Sequence, residues 1–295
     1  MSITITKRDF TFSLCLIGAG ILAACGGGSD PVVTKLNVTP VLGAVYGGTV
    51  NVYSNSGALL GTATTSTTDG KASVDMTNYV DGSPVIVKVT LSPGASYFNE
   101  KTGTNTVVTS ANTVSLLSVV PAVSTGQAVG VTPITNMAAK LAGVTADAVS
   151  GAALTTAVSA DAIYSAVAKT NLILGLPAST NILAAPVAAT LTAPVPTETL
   201  GKVLASIAKN TTATDPVAQS NALLAAVKTD GTVDSTKTAA ITEANSTLKD
   251  PAKTTGLTLA ISTANTAPTT AQVTAATATV KASVDAARAT GATGG

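Results

Sequence analysis

The sequence predicts an α+β chain, in which an N-terminal all-β sandwich of about seven strands is followed by an all-α helical bundle. Three observations lead to this. From about residue 33 to 131, short segments alternate apolar with polar residues and are separated by turn residues. Beyond residue 131 the apolar period changes from two to 3.6. A hydrophobic content of 45% over 295 residues argues against wholesale disorder and leaves room for about two domains.

The chain opens with a polar stretch whose only charges are Lys7, Arg8 and Asp9 and then runs without a charge from Phe10 to Ala24. A basic start followed by an apolar run shorter than the ~20 residues of a membrane span is the pattern of a cleaved export signal. Leu22-Ala23-Ala24-Cys25 resembles the lipobox of bacterial lipoproteins. The resemblance implies that Cys25 becomes the first mature residue and carries the lipid, because the thiolate is the nucleophile that takes the diacylglyceryl group. It also implies attachment to the membrane through that lipid, and Gly26, where aspartate would signal inner-membrane retention, favours the outer membrane. Several acyl chains anchor firmly, since each buried methylene contributes about 0.8 kcal/mol. Residues 1–24 are thus expected to be the signal, and 25–32, rich in Gly and Ser, a flexible tether. Cys15 lies in the signal, so mature protein would hold one cysteine and no intrachain disulfide.

Residues 33–131 are expected to form the β-sandwich. Strand segments are predicted at Thr49 to Tyr53, Ala58 to Thr64, Lys71 to Met76, Pro84 to Thr90, Tyr97 to Glu100, Thr106 to Thr109, Val114 to Val120 and Val129 to Thr132. Asp69-Gly70 and Asp81-Gly82 are turn signals between them. The run from Gly43 to Val74, with Gly61-Thr62-Ala63-Thr64 and Asp69-Gly70, resembles the carboxypeptidase-regulatory-like, prealbumin-type β-sandwich of bacterial surface proteins. That resemblance covers about a third of the chain and implies a non-catalytic structural or binding module.

Residues 132–290 are expected to be helical, with 291–295 a frayed tail. Thr132 can cap a helix whose first residue is Pro133. Apolar stripes at helical spacing occur at Ile163, Val167 and Leu174, at Leu200, Val203, Leu204 and Ile207, at Leu257, Ala260, Ile261 and Ala264, and from Val273 to Ala287. Pro and Gly breakers separate them. These stripes lean on Ala and single Val or Leu residues, so the bundle should be loosely specified and mobile from about residue 265.

Composition restricts the chemistry. Removing Lys7, Arg8 and Asp9 from 16 basic and 15 acidic residues leaves 14 of each, so no electrostatic footprint for nucleic acid is expected. There is no histidine, which excludes Ser-His-Asp and Cys-His nucleophiles and the usual catalytic zinc and haem ligands. No cofactor or metal is expected. A carboxylate pair of the glycosidase type stays open, although the chain has no Trp to build a sugar platform. Asp230 to Asp234 lacks the closing Glu of a calcium loop and reads as a helix C-cap followed by an N-cap. Most of the aromatic residues of the β region read as core. Tyr79, Tyr97 and Phe98 form a candidate binding edge, with Tyr97 to Lys101 the densest mixture of aromatic and charged side chains. The expected function is a non-enzymatic, lipid-anchored envelope protein whose helical region contacts an envelope protein or extracellular polymer. An adhesin or filament-associated subunit is the alternative, and a carboxylate-based carbohydrate-active enzyme a third.

Overall fold

The segments Val85 to Leu91 and Val114 to Val120 are apolar almost without alternation, the pattern of strands covered on both faces. In the computed structural model, which describes residues 33–147, 149 and 156–290, these two strands form part of the middle layer. The strands are β1 (Thr34–Pro40), β2 (Val45–Tyr46), β3 (Thr49–Ser54), β4 (Leu59–Thr64), β5 (Ala72–Met76), β6 (Val85–Leu91), β7 (Ser96–Asn99), β8 (Thr104–Val107), β9 (Val114–Val120) and β10 (Ala128–Val131). The helices are α1 (Pro133–Leu141), α2 (Ala160–Leu174), α3 (Thr199–Lys209), α4 (Pro216–Ala226), α5 (Ala239–Lys249) and α6 (Thr270–Ala289). The described chain is therefore β-rich first and helical afterwards.

The strands make three sheets, ordered β4-β3-β6-β9, β10-β1-β5 and β2-β7-β8. The four-stranded sheet is antiparallel, with Val52 opposite Val87 and Val87 opposite Ser118. In the second sheet β1 runs antiparallel to β5 and parallel to β10. Val50, Val52, Val87, Val89 and Leu116 from one face of the four-stranded sheet share a core with Leu36, Val38 and Val74 of the second. On its other face Tyr53, Ile86, Leu117 and Val119 share a core with Ile134, Met137, Ile163 and Val167 of the helices. Successive side chains point to opposite faces, so β6 and β9 serve both cores at once.

The fold departs from expectation first in the number of strands and in how the helices pack. The β region has ten strands among the described residues, not about seven. The additional strands are β1 and the two-residue β2; β1 lies at the centre of its sheet and needs the distant β5 and β10 as partners. The six helices do not form an all-α bundle closed on itself: the core they share takes in Tyr53, Ile86, Leu117 and Val119 of the sheet, with α1 lying against β9. α1 shows this most directly. Residues on every side of it are buried, including Ile134, Asn136, Met137 and Ala139, as befits a helix enclosed by neighbours. Its start matches expectation: Thr132 is the N-cap, Pro133 opens the helix, and Thr132 and Thr135 form a reciprocal capping box. The Thr135 hydroxyl also donates to the Leu117 carbonyl at 2.8 Å, fixing α1 against β9.

The stripe predicted from Leu257 to Ala264 is not helical. Leu257, Leu259 and Ile261 are half-buried and alternate with exposed Thr258, Ala260 and Ser262, so the operative period there is two. Asn245 of α5 holds this extended segment, donating to the Ser262 carbonyl (2.8 Å) and accepting from the Ala264 N–H (3.1 Å). The segment also packs against the end of α2, where Gly175 turns left-handed at φ 73° and a Cβ would stand 2.2 Å from the Ser262 carbonyl oxygen. Asp230 and Asp234 cap no helix. Each accepts from the N–H two residues on, Thr232 at 2.9 Å and Thr236 at 3.0 Å, and so each closes its own side-chain turn. α6 packs on α2 through Val273, Ala276, Val280 and Val284 and through Tyr164, whose hydroxyl donates to Asp285 at 2.5 Å. Residues 291–295, expected to fray, lie outside the described residues.

Candidate functional site

Cys25 and the lipobox residues Leu22, Ala23 and Ala24 lie outside the described residues. The three aromatics of the candidate binding edge do not come together on the surface. Tyr97 and Phe98 of β7 are 0% and 1% exposed and belong to the interior. Tyr79 is half-buried, and its hydroxyl donates to the Ser83 carbonyl (2.9 Å) and accepts from the Val123 N–H (2.9 Å). The rings of Tyr97 and Phe98 are both turned inward, where each buries a large apolar area.

The charged neighbours of that strand reach a different place. Asn99, itself buried, clamps the β7–β8 turn: its side-chain oxygen accepts from the N–H groups of Lys101 (3.0 Å) and Thr102 (3.3 Å). Gly103 closes the turn with a bond to the Asn99 carbonyl (2.8 Å). This places Glu100 and Lys101 on the wall of a cleft of about 320 Å³. Opposite lies α3, with Lys202, Ala205, Ser206 and Lys209 at i, i+3, i+4 and i+7 facing the cleft while Leu200, Val203, Leu204 and Ile207 face the core. Lys253 and Thr255 form a third side and Pro194 to Pro196 a fourth.

Each wall is held from behind. Glu198 caps α3, accepting from the N–H groups of Leu200 (2.7 Å), Gly201 and Val187 (2.8 Å). Asn210, at the end of α3, donates to the Lys253 carbonyl (3.4 Å) and ties the third wall to the helix. Lys202 donates to the Gly256 carbonyl at 3.0 Å and Lys101 to the Ala213 carbonyl. Lys253 has only a loose ion pair with Asp250 at 3.9 Å, between half-exposed groups. Lys209 is exposed and makes no bond to a protein group.

Glu100 sits between this cleft and a small apolar cavity of about 20 Å³ lined by Ile134, Leu204, Ile207 and Gln219. It is 7% exposed. Burial pushes its carboxyl up to about 8, against the opposing pull of its own N–H and that of Gly43. Gly43 must be glycine, since its φ is 67° and a Cβ would stand 2.0 Å from the Phe98 carbonyl oxygen.

No family model, curated protein or solved structure matches this chain. Among the described residues no group of three or more His, Cys, Asp or Glu is arranged to hold a metal, and no helix is long and apolar enough to cross a membrane. Sequence reading pointed at Tyr97 to Lys101 but chose the aromatic half of that stretch. The available signal was Lys202 and Lys209, two lysines seven residues apart on the polar face of a predicted helix.

Proposed function

We propose that this is a non-enzymatic protein of the bacterial cell envelope, lipid-anchored through Cys25 and with a structural or binding role. The observation that carries the reading is the run from Lys7 through the apolar stretch to Leu22-Ala23-Ala24-Cys25, followed at once by Gly-rich sequence. The β-rich region that follows fits the accessory role implied by its prealbumin-type resemblance. We read the two sheets that share a core across Val52, Val87, Leu36 and Val38 as that sandwich.

The placement of seven of the described carboxylates supports a non-enzymatic role. Glu198 and Asp215 cap α3 and α4. Asp69, Asp230, Asp234 and Asp250 accept from N–H groups of their own turns. Asp285 is engaged by Tyr164 and Lys281. Groups fixed in turns and caps are poorly placed to act as the acid and base of a glycosidase pair.

The test is expression of the full chain in a Gram-negative host with labelled palmitate. The wild type should incorporate label and fractionate with the outer membrane, and Cys25→Ser should incorporate none and accumulate as the longer precursor. Equal processing of both forms, or label that survives the substitution, would overturn the reading.

A further inference from the structure

We propose that the cleft between the β7–β8 turn, α3 and the Lys253 turn binds a polyanion carrying closely spaced phosphate groups. Lys101, Lys202, Lys209 and Lys253 come from three separate stretches of chain and line one space of about 320 Å³. In a mature chain of balanced charge, four lysines lining one cleft are a local excess of positive charge, which favours an anion there. Folding brings them there through specific contacts, namely the Asn99 clamp, the Glu198 cap and the Asn210 tether.

The opposing charge inside the cleft is small. The carboxyl in its wall, Glu100, is buried and stays largely protonated at pH 7, so it subtracts little from the positive field. Asp250 meets Lys253 only at 3.9 Å, with both groups open to water, a geometry worth little. Donor capacity is left over. An ammonium has three N–H donors; Lys101 and Lys202 each use one on a carbonyl, and Lys209 uses none on the protein.

Phosphate fits this donor set better than carboxylate does. No arginine lines the cleft, so the flat two-pronged match that a carboxylate favours is missing. Lysine acts as a mobile point charge, suited to phosphate oxygens presented in several directions. Ser206 and Thr255 add hydroxyl donors, and Pro194, Val195 and Pro196 give an apolar rim for the non-phosphate part of a ligand. Four charges call for more than one phosphate. The inference concerns the folded region and does not depend on lipidation of Cys25.

The experiment is calorimetric titration of the purified full chain with sodium tripolyphosphate and with inorganic phosphate, in low salt and in about 0.15 M salt. The expected result is one tripolyphosphate per chain, bound at least roughly tenfold more tightly than inorganic phosphate and weakened by salt. Lys209→Gln should weaken binding about tenfold, and because Lys209 holds no protein group the fold should be unchanged. Lys71→Gln, on the β5 side of the molecule, should leave binding unaltered. A vesicle arm identifies the source of the phosphate. Sedimentation with phosphatidylglycerol but not phosphatidylcholine vesicles, lost in Lys209→Gln, supports the site and assigns it a lipid headgroup; tripolyphosphate binding alone supports a soluble ligand. Heatless titration together with no vesicle binding, or equal loss in Lys71→Gln and Lys209→Gln, overturns the proposal.

Discussion

Replacing Glu100 by glutamine should stabilise the protein at neutral and alkaline pH and remove a pH dependence that the wild type carries. The folded state holds the carboxyl at about 8, against an ordinary value of 4.5. Below pH 4.5 both folded and unfolded chains bind the proton, and the group leaves stability intact. As pH rises from 4.5 towards 8 the unfolded chain releases the proton while the folded chain keeps it, so stability is progressively lost. At about 1.4 kcal/mol per pH unit, the loss reaches on the order of 3 kcal/mol by pH 7 and levels off above about pH 8. The glutamine side chain has the shape of the protonated acid and no proton to lose. Urea unfolding of both proteins at about pH 5, 7 and 8.5 measures the difference. The two should be within about 1 kcal/mol at pH 5 and diverge as pH rises, the variant being the more stable, with equal urea dependence. Stability curves that run parallel across that range would falsify the assignment of a buried proton to Glu100. The lysines of the cleft do not rescue the ionised form, since the upward push is burial and no lysine opposes it.

Three further outcomes follow from the packing. Ile86→Ala opens space between the sheet and the helices, where Ile86 is 0% exposed, and should cost about 2–5 kcal/mol. Because the core is common, tyrosine fluorescence and helical circular dichroism should fall together, and separate transitions would contradict the shared core. Tyr164→Phe removes the hydroxyl that donates to Asp285 and should lower thermal stability by about 1 kcal/mol at pH 7. Hydrogen bonds from Lys281 and Tyr164 hold Asp285 below its ordinary range despite partial burial, so this contribution is lost as pH falls below about 4, and the two proteins should converge there. Gly175→Ala forces a side chain into a left-handed turn and onto the Ser262 carbonyl, and should cost more than the roughly 1–2 kcal/mol of the backbone conformation alone. A melting temperature equal to wild type would show that the turn relaxes freely.

Legibility in the sequence followed the range of the interactions. The capped start at Thr132-Pro133 and the stripe Leu200, Val203, Leu204 and Ile207 are local signals, and both elements stand where expected. The apolar pairs Ile86-Val87 and Leu116-Leu117 interrupt strict alternation in the sequence as well, but they name no covering partner. Only the folded chain shows that helices supply one face. From Leu257 to Ala264 two periods overlap in a few residues, and the choice between them was made by Asn245, which lies in another element. The lysine cleft was least readable: its residues are spread from position 101 to 253, and no local rule joins them.

The parallel pairing of β1 with β10 gives the β region a mechanical character. The chain enters at Thr34, at one end of β1, and leaves for α1 after Val131, at the opposite end of its parallel neighbour. A pull between residue 33 and the helices therefore acts along the strands. The pairs from Asn37–Ala128 to Pro40–Val131 would have to slide past one another together, in shear, and could not open one at a time as in an unzipping hairpin. Traction on the chain at residue 33 would thus be borne by several backbone bonds simultaneously.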